Sequence, residues 1–183
     1  MSENESITTI QRLIEELNQI EKEEDYKKAV KRLKIPVEEY EPYVFFSKKH
    51  YTRNCIVRNE NYELILICWE KGQKTPVHCH NNQECWIYVV KGEFVEQRYV
   101  KSNKPFQEIE AERKMQLKKG EISYMNDNMG FHSLLNTNDG SSMSLHLYIN
   151  PIDECSVFNR ENGKFERKEL EYYSYQGKSL QKV

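Results

Sequence analysis

The residues in this sequence best suited to chemistry are three histidines: His78 and His80, one residue apart, and His132 much later in the chain. Neutral imidazoles are the commonest metal ligands in proteins. Side chains on a strand alternate between faces, so His78 and His80 would lie on one side and Cys79 on the other. With His132 arriving from a distant strand, the sequence predicts a three-histidine metal site on a rigid β scaffold. The alternative is that these are solvated strand histidines without a metal.

Such a site would favour oxidation of a thiol. A divalent ion held by three neutral imidazoles keeps its full charge and roughly three open positions in an octahedral geometry. A thiolate with an adjacent amine fits these positions together with a gas molecule, because the charge of the ion removes the thiol proton. With iron(II) and dioxygen, the expected product is the sulfinic acid of the thiol.

Composition limits the other classes of function. The chain has 183 residues, a net charge of −2 and five cysteines without a CxxC pair, which is typical of one domain with reduced thiols. The first residues, MSENESITTI, lack an apolar leader, so we expect a cytoplasmic protein. The chain lacks a membrane-length apolar run and a basic stripe, so we expect neither membrane nor nucleic-acid binding. We expect a monomer that binds small molecules.

Two amphipathic helices are predicted in the N-terminal segment, residues 1–42. Apolar residues recur there at spacings of three and four before Pro36. We expect both helices to pack on the outside of a sheet, because each apolar stripe needs a surface to cover. The stripes comprise Ile7, Ile10, Leu13, Ile14 and Leu17, and then Tyr26, Ala29, Val30 and Leu33.

From residue 43 the sequence changes to short β-rich runs separated by turn signals. Many short strands at regular spacing are typical of a sandwich or barrel. We therefore predict one domain over residues 1–183, with a β-barrel at 43–175 and a polar, mobile tail at 176–183. The expected turns lie at 71–72, 91–92, 119–120 and 138–140, and the predicted strands include 62–69, 86–90, 94–100 and 144–148.

The predicted strand 144–148 alternates polar and apolar side chains. Ser144, His146 and Tyr148 would lie on one face, and Leu145 and Leu147 on the other. If the leucines pack beneath the helices, the polar row lines an internal cavity. The alternative is an edge strand whose polar row faces solvent.

The histidine region resembles the first metal-binding motif of the cupins, a superfamily of small β-barrels. His78, His80 and Gly92 follow the spacing of that motif, in which a glutamate usually follows the second histidine as a further ligand. Counting back from Gly92, Cys85 occupies the glutamate position and Glu84 lies one residue early. One residue on a strand reverses the face, so we predict that Cys85 points inward and Glu84 does not.

The second cupin motif is matched less closely. Gly120 and His132 fit its pattern, but Asn126 and Asn128 stand where a proline and a glycine are expected, and one residue is extra. Among the three histidines, His132 therefore rests on the weaker motif.

A cysteine at the glutamate position is typical of the thiol dioxygenases, and three further segments resemble the cysteine dioxygenase family. Residues 51–54 resemble its carboxylate-binding segment, residues 67–69 the strand before the metal motif, and residues 144–148 the active-site strand. The resemblance extends from about Pro36 to Tyr173, which is most of the chain.

The resemblance implies a mainly β fold, a cupin (jelly-roll-like) β-barrel with the N-terminal helices packed outside. It implies an iron(II)-dependent enzyme that oxidises L-cysteine with dioxygen to cysteine sulfinic acid, a reaction of cysteine catabolism and taurine biosynthesis. Carried over from the family, the iron ligands are His78, His80 and His132, the carboxylate is held by Arg53 and Tyr51, and Cys85 can form a thioether with Tyr148. If the polar row of residues 144–148 lines a cavity, we expect His146 to orient Tyr148 by a hydrogen bond.

Arg53 also suits its implied role by chemistry. A guanidinium binds a carboxylate through two parallel charge-assisted hydrogen bonds, which a lysine cannot copy. Tyr51 lies two residues earlier and would face the same way, offering a second donor. Family enzymes that act on 3-mercaptopropionate have glutamine at this position, so Arg53 favours cysteine. The alternative is an ordinary exposed arginine on an edge strand.

Two features depart from the family pattern. The family often has a serine-proline step with a cis bond after the active-site tyrosine, whereas Tyr148 is followed by Ile149, Asn150 and Pro151. Any cis bond must therefore fall at Asn150-Pro151 or be absent. Cys155 resembles a cysteine near the family's pocket mouth, although a buried free thiol is equally common as packing.

Other functions remain open at this point. The same site could oxidise another small thiol, such as 3-mercaptopropionate, or an N-terminal cysteine on a peptide. A non-catalytic cupin that stores metal or senses a ligand is a different class, and a zinc ion with a bound water could serve hydrolysis.

Overall fold

The computed structural model describes residues 5–103 and 108–181 of the chain. Its N-terminal segment contains two helices, α1 (Ile10–Leu17) and α2 (Glu23–Lys31), as predicted. Thr9 begins α1, because its side chain accepts the backbone N–H of Arg12 at 3.1 Å. In α2 the first turn is acidic and the last turn is basic, which complements the helix dipole. Residues 1–4 of the predicted helical segment lie outside the described residues.

Both helices pack on one face of a large sheet. The buried stripe of α1 and the stripe of α2 share a single apolar core with alternate residues of the strands beneath them. Each fully buried aliphatic side chain of this kind contributes roughly 1.5–3 kcal/mol to stability. The helices therefore cover an apolar sheet face that would otherwise meet water, as the sequence predicts. The helical members of this core are Ile10, Leu13, Leu17, Tyr26, Ala29 and Val30.

The rest of the described chain is mainly β. A short 3₁₀ segment, Val37–Tyr43, leads into the first strand. The strands are β1 (Thr52–Arg58), β2 (Tyr62–Trp69), β3 (Glu84–Lys91), β4 (Glu93–Lys101), β5 (Ile109–Lys118), β6 (Ile122–Met125), β7 (Phe131–Asn136), β8 (Ser142–Ile149), β9 (Glu154–Asn159), β10 (Lys164–Glu169), β11 (Ser174–Tyr175) and β12 (Lys178–Ser179).

These strands form layered sheets. The large sheet has the order β12-β11-β1-β2-β8-β3-β6, and the two smaller sheets have the orders β5-β4-β7 and β10-β9. The second core lies between them, because it joins residues of β2, β3 and β8 to Phe94, Leu117, Leu134 and Cys155 from the smaller sheets. The site residues project into this inner core. The smaller sheets are connected by isolated bridges, such as the one between His78 and Val157. The described strands therefore do not form one continuous barrel wall.

Strand alternation distributes β8 between the two cores. Leu145 and Leu147 join the core beneath the helices, whereas Tyr148 belongs to the inner core and Ser144 and His146 are buried on the same face. The polar row faces inward as predicted, with His146 and Tyr148 lining an internal cavity and Ser144 buried beside them, and the solvent-facing alternative is wrong. β8 is buried along its whole length because it lies between β2 and β3.

The same alternation determines which side chains of β3 face inward. Cys85 is fully buried and belongs to the inner core, whereas Glu84 is half-buried and accepts a hydrogen bond from the Tyr124 hydroxyl at 2.8 Å. Trp86 packs in the core beneath the helices. The prediction that Cys85 points inward and Glu84 does not is confirmed.

The turn after β3 shows why a glycine is needed there. Gly92 has a φ of +82°, and a Cβ at this position would overlap the Ser142 side chain. Only glycine fits both conditions, because L side chains rarely adopt such a φ.

The C-terminal segment differs from the predicted polar tail. β11 lies parallel to β1, and β12 pairs antiparallel with β11 through a turn at Gln176 and Gly177. Residues 178–179 are thus held by backbone hydrogen bonds, and residues 182–183 of the tail lie outside the described residues. The proline that follows Tyr148 one place later than in the family pattern has an ordinary peptide bond. The Asn150-Pro151 bond is trans, since residues 5–103 and 108–181 contain no cis peptide bond. In these residues no helix is long and apolar enough to cross a membrane.

Candidate active site

His78, His80 and His132 lie together on the inner face of the molecule. Their potential ligand nitrogens are all within 4.8 Å of one another. His78 and His132 bridge through their backbones, each N–H donating to the other's carbonyl at 3.0 and 3.1 Å. Within residues 76–80 only His78 forms β-bridges, and the regular strand expected from the sequence is absent from these residues. The backbone bridge nevertheless sets the separation of two histidines that are distant in sequence.

The loop after His80 is fixed by Asp127. One carboxylate oxygen of Asp127 accepts the backbone N–H of His80 at 2.7 Å, and the other accepts that of Asn82 at 2.8 Å. Asn81 and Asn82 both have positive φ values, 51° and 64°, a conformation that asparagine tolerates better than most residues. This tight loop turns the chain from His80 into β3.

The ring nitrogens of the cluster are arranged as metal ligands require. His78 Nδ1 lies 3.0 Å from the Pro76 carbonyl oxygen, and His132 Nδ1 lies 2.9 Å from Glu96 Oε1. If each Nδ1 carries the proton, Nε2 of both rings keeps its lone pair. Nε2 of His132 and both nitrogens of His80 are buried without a hydrogen-bond partner. Unpartnered buried nitrogens are costly, and a metal ion would satisfy them.

Burial keeps the rings of His78 and His80 neutral. Burial, followed by the nearby His132, lowers the pKa of His78 to about 3 and holds the pKa of His80 well below its usual value. Neutral imidazoles are the form that binds metal ions. The donor set therefore fits a divalent transition metal such as iron(II).

Glu96 supports the cluster and was not anticipated from the sequence. It is fully buried on β4, accepts hydrogen bonds from Arg98 Nε at 3.2 Å and from the Ser123 hydroxyl, and faces His132. Burial alone would raise the pKa of Glu96, but the bonds from His132 and Ser123 and the Arg98 charge lower it. One feature of the sequence could have indicated this role. Glu96 follows Phe94 by two residues on an alternating strand, so the two side chains share the inward face.

A small cavity lies beside the histidines. It has a volume of about 50 Å³, and its lining includes His78, His146, Tyr148, Arg53 and Tyr51. At about 10–15 Å³ per water, such a space suits a ligand of only a few non-hydrogen atoms.

A groove of about 480 Å³ lies next to the small cavity. Tyr51, Arg53, Lys168 and Leu170 line both spaces, so they lie between the cavity and the surface groove. Cys155 also lines the small cavity, where burial raises the pKa of its thiol to about 11.

Arg53 lies on β1 as a buried cation with unused donors. Its side chain is only 9% exposed, and Nε and Nη2 have no hydrogen-bond partner. An exposed edge-strand arginine is therefore excluded. A buried guanidinium with free donors in a cavity wall is suited to an anionic ligand. Tyr51 lines the same cavity with its ring stacked on Trp69 at 4.8 Å, and burial raises the pKa of its hydroxyl, which stays a donor.

Cys85 and Tyr148 are direct partners on adjacent strands, β3 and β8. Burial raises the pKa of the Cys85 thiol, and burial followed by the neighbouring Cys85 raises that of Tyr148 well above its usual value. Both groups therefore keep their protons at neutral pH. Their register brings together the two side chains that the resemblance pairs.

The prediction for the partner of His146 is wrong. His146 Nε2 lies 2.9 Å from Ser144 Oγ, which also accepts from Trp69 Nε1 at 2.9 Å, and the ring stacks with Tyr148 at 6.2 Å instead of hydrogen-bonding to it. Residues two apart on a strand stand side by side, so their planar rings meet face to face. His146 can thus orient Tyr148 by stacking.

Comparisons with known proteins place the chain in a family. The sequence matches the family model for cysteine dioxygenase type I over residues 1–161. It is 28% identical to human (Homo sapiens) cysteine dioxygenase type 1 over 138 residues, which cover 74% of this chain and 69% of the human protein. The corresponding zebrafish (Danio rerio) protein is 25% identical over 135 residues, covering 72% and 67% of the two chains.

A solved structure shows the same fold. An uncharacterised Klebsiella pneumoniae protein with a double-stranded β-helix domain superposes with a TM-score of 0.50 at 18% sequence identity, covering 67% of this chain and 88% of that one. The prediction of a mainly β, jelly-roll-like cupin fold with outer helices is confirmed.

Proposed function

We propose a specific reaction for this chain, which belongs to the cysteine dioxygenase type I family and is a dioxygenase. The proposed reaction is the oxidation of L-cysteine with dioxygen to cysteine sulfinic acid. One observation carries this proposal: His78, a member of the three-histidine cluster, and a buried guanidinium with free donors line the same small cavity. A molecule with a thiol at one end and a carboxylate at the other would meet both.

The three histidines would hold iron(II). The ion would supply adjacent binding positions for a thiolate and dioxygen and a route for electron transfer between them. Glu96 keeps the proton of His132 on Nδ1, so that Nε2 is free to act as a ligand. The Pro76 carbonyl does the same for His78.

Arg53 and Tyr51 would bind the substrate carboxylate. The guanidinium donates through Nε and Nη2, and the Tyr51 hydroxyl adds a further donor from the same wall. A cavity of about 50 Å³ restricts the reaction to small thiols. The carboxylate requirement and the small volume together favour L-cysteine over larger thiols.

Tyr148 would donate a hydrogen bond to the substrate at the cavity wall. Its raised pKa keeps its proton in place, and stacking on His146 limits the rotation of its ring. We also propose a thioether between Cys85 and a ring carbon of Tyr148. That bond forms with loss of the thiol hydrogen and one ring hydrogen, and dioxygen accepts the two electrons and two protons. Their pairing across adjacent strands supports it.

The five free, buried cysteines suit a reducing compartment, and we propose a cytoplasmic monomer. Sedimentation of the purified protein tests the oligomeric state.

The reaction is tested with iron-loaded protein, by oxygen uptake and by mass spectrometry of the product. We expect cysteine sulfinic acid from L-cysteine and no product from His132→Ala. Folded, iron-loaded protein that forms no sulfinic acid from L-cysteine under saturating oxygen would overturn the proposal. Zinc without iron in protein from its natural host would also count against it.

A further inference from the structure

A buried carboxylate lies beside Arg53 without hydrogen-bonding to it. Glu63, on β2, is fully buried, and its Oε1 is 3.9 Å from Arg53 Nη2. That separation retains Coulomb attraction but exceeds the roughly 2.7–2.9 Å of a charge-assisted N–H···O bond. The positive charge of Arg53 is therefore compensated while Nε and Nη2 remain without hydrogen-bond partners.

Other donors occupy both oxygens of Glu63. The Tyr172 hydroxyl donates a hydrogen bond to Oε1, and the backbone N–H of Ile152 donates to Oε2 at 3.2 Å. A carboxylate satisfied in this way gains less from closing on the guanidinium than a carboxylate without other donors.

Tyr172 is itself held from two sides. Its hydroxyl accepts a hydrogen bond from Arg58 Nη1 at 3.0 Å, and Arg58 forms a fork with Asp153 at 2.7 and 2.9 Å. The Tyr172 ring centre lies 5.7 Å from the guanidinium carbon of Arg53. The ring thus limits the position of Arg53, and the hydroxyl limits that of Glu63.

We propose that Tyr172 is a positioning residue for Arg53: it holds the Glu63 carboxylate back, so that Arg53 presents free donors to a substrate carboxylate. This inference rests on the proposed function, in which Arg53 binds the carboxylate of the thiol. Without the Tyr172 hydroxyl, Glu63 Oε1 loses its donor, and a movement of about 1 Å would pair it with Arg53 Nη2. The protein's own carboxylate would then compete with the substrate.

The test uses two thiols that differ by the carboxylate. L-cysteine and cysteamine share the thiol and the amine, so the ratio of their dissociation constants reports how much the carboxylate contributes. Calorimetry on the iron-loaded protein without oxygen measures both constants. In Tyr172→Phe we expect the preference for L-cysteine to fall about 10-fold while cysteamine binding is unchanged. Glu63→Gln added to Tyr172→Phe should restore much of the preference, because a neutral amide competes less for a guanidinium.

Tyr62→Phe is the matched control. Tyr62 precedes Glu63 on β2 but faces the helices, and its buried hydroxyl donates to Asn18 Oδ1 at 2.9 Å. The Tyr62→Phe variant therefore loses a comparable hydrogen bond away from the cavity. We expect it to keep the wild-type preference for L-cysteine over cysteamine. If Tyr172→Phe does not fold, Glu63→Gln alone should bind L-cysteine at least as tightly as the wild type, and weaker binding would contradict the inference.

The outcomes separate the two proposals. A wild-type protein with no preference for L-cysteine over cysteamine would overturn the role of Arg53, and this inference with it. A preference lost in Arg53→Gln but retained in Tyr172→Phe would overturn the inference alone. A double variant with a smaller preference for L-cysteine than Tyr172→Phe would also overturn the inference, because removal of the competing carboxylate should raise that preference.

Discussion

Glu96→Gln should weaken metal binding without unfolding the protein. The glutamine side chain has nearly the same shape as the glutamate, and its amide oxygen can still accept the proton of His132 Nδ1, which lies 2.9 Å from the carboxylate. The change removes the negative charge, so a charge-assisted bond becomes a neutral one. Arg98 retains its bonds to Ser123 at 3.2 Å and to the Tyr124 carbonyl at 2.7 Å, which limits the structural damage.

The expected size of the effect follows from that bond. Hydrogen bonds to charged groups contribute about 1.5–3 kcal/mol and neutral bonds about 0.5–1.5 kcal/mol. The difference, of the order of 1–1.5 kcal/mol, corresponds to roughly a tenfold loss in affinity. Loss of a group that supports a ligand typically costs about 10–100-fold, so this conservative change should fall at the lower end.

Iron(II) affinity is measured on metal-free protein by competition with a chelator, and urea unfolding of the same samples reports stability. Glu84→Gln is the control, because Glu84 is also hydrogen-bonded, at 2.8 Å to Tyr124, but lies on the other face of β3. We expect Glu84→Gln to bind iron as the wild type does. Equal affinities of Glu96→Gln and wild type would refute the argument, as would equal losses in both variants.

Three further predictions concern the cavity and the histidines. Arg53→Gln should raise the KM for L-cysteine about 10–100-fold through loss of charged hydrogen bonds, with a smaller effect on kcat, and unchanged steady-state kinetics would contradict this. The intact protein should weigh two hydrogens less than its calculated mass, a difference absent from Cys85→Ser, whereas the full mass after turnover would argue against the thioether. Because burial lowers the pKa of His78 to about 3 and that of His80 well below its usual value, the unfolded chain binds more protons below about pH 6.5. Metal-free protein should therefore lose up to about 2 kcal/mol per histidine on going from neutral pH to pH 5, and equal urea midpoints at both pH values would exclude this.

Much of the fold could be predicted because it follows from local periodicity. The apolar stripe of α1 and the alternation of β8 each require one face to be buried, whatever the neighbours are. The inward direction of Cys85 followed from counting residues back from Gly92, since one residue reverses a strand's face.

The C-terminal segment was harder to predict for a physical reason. Residues 176–179 are polar, and their order comes from backbone hydrogen bonds that join β12 to β11, beside β1. Backbone bonds to a distant strand leave no periodic signal in the side chains. Composition alone therefore indicated a tail where the structure has a hairpin.

The sequence by itself determined which side chains face inward and which chemistry they could perform: histidines for a metal, an arginine for a carboxylate and a cysteine where cupins usually have a glutamate. Only the tertiary structure decided their partners, as with Glu96 beside His132, Ser144 beside His146, and Glu63 with Tyr172 around Arg53. The reason is that a side chain's direction is set by its own strand, whereas a hydrogen bond requires two strands to meet within a few tenths of an ångström. That meeting depends on how the whole chain packs.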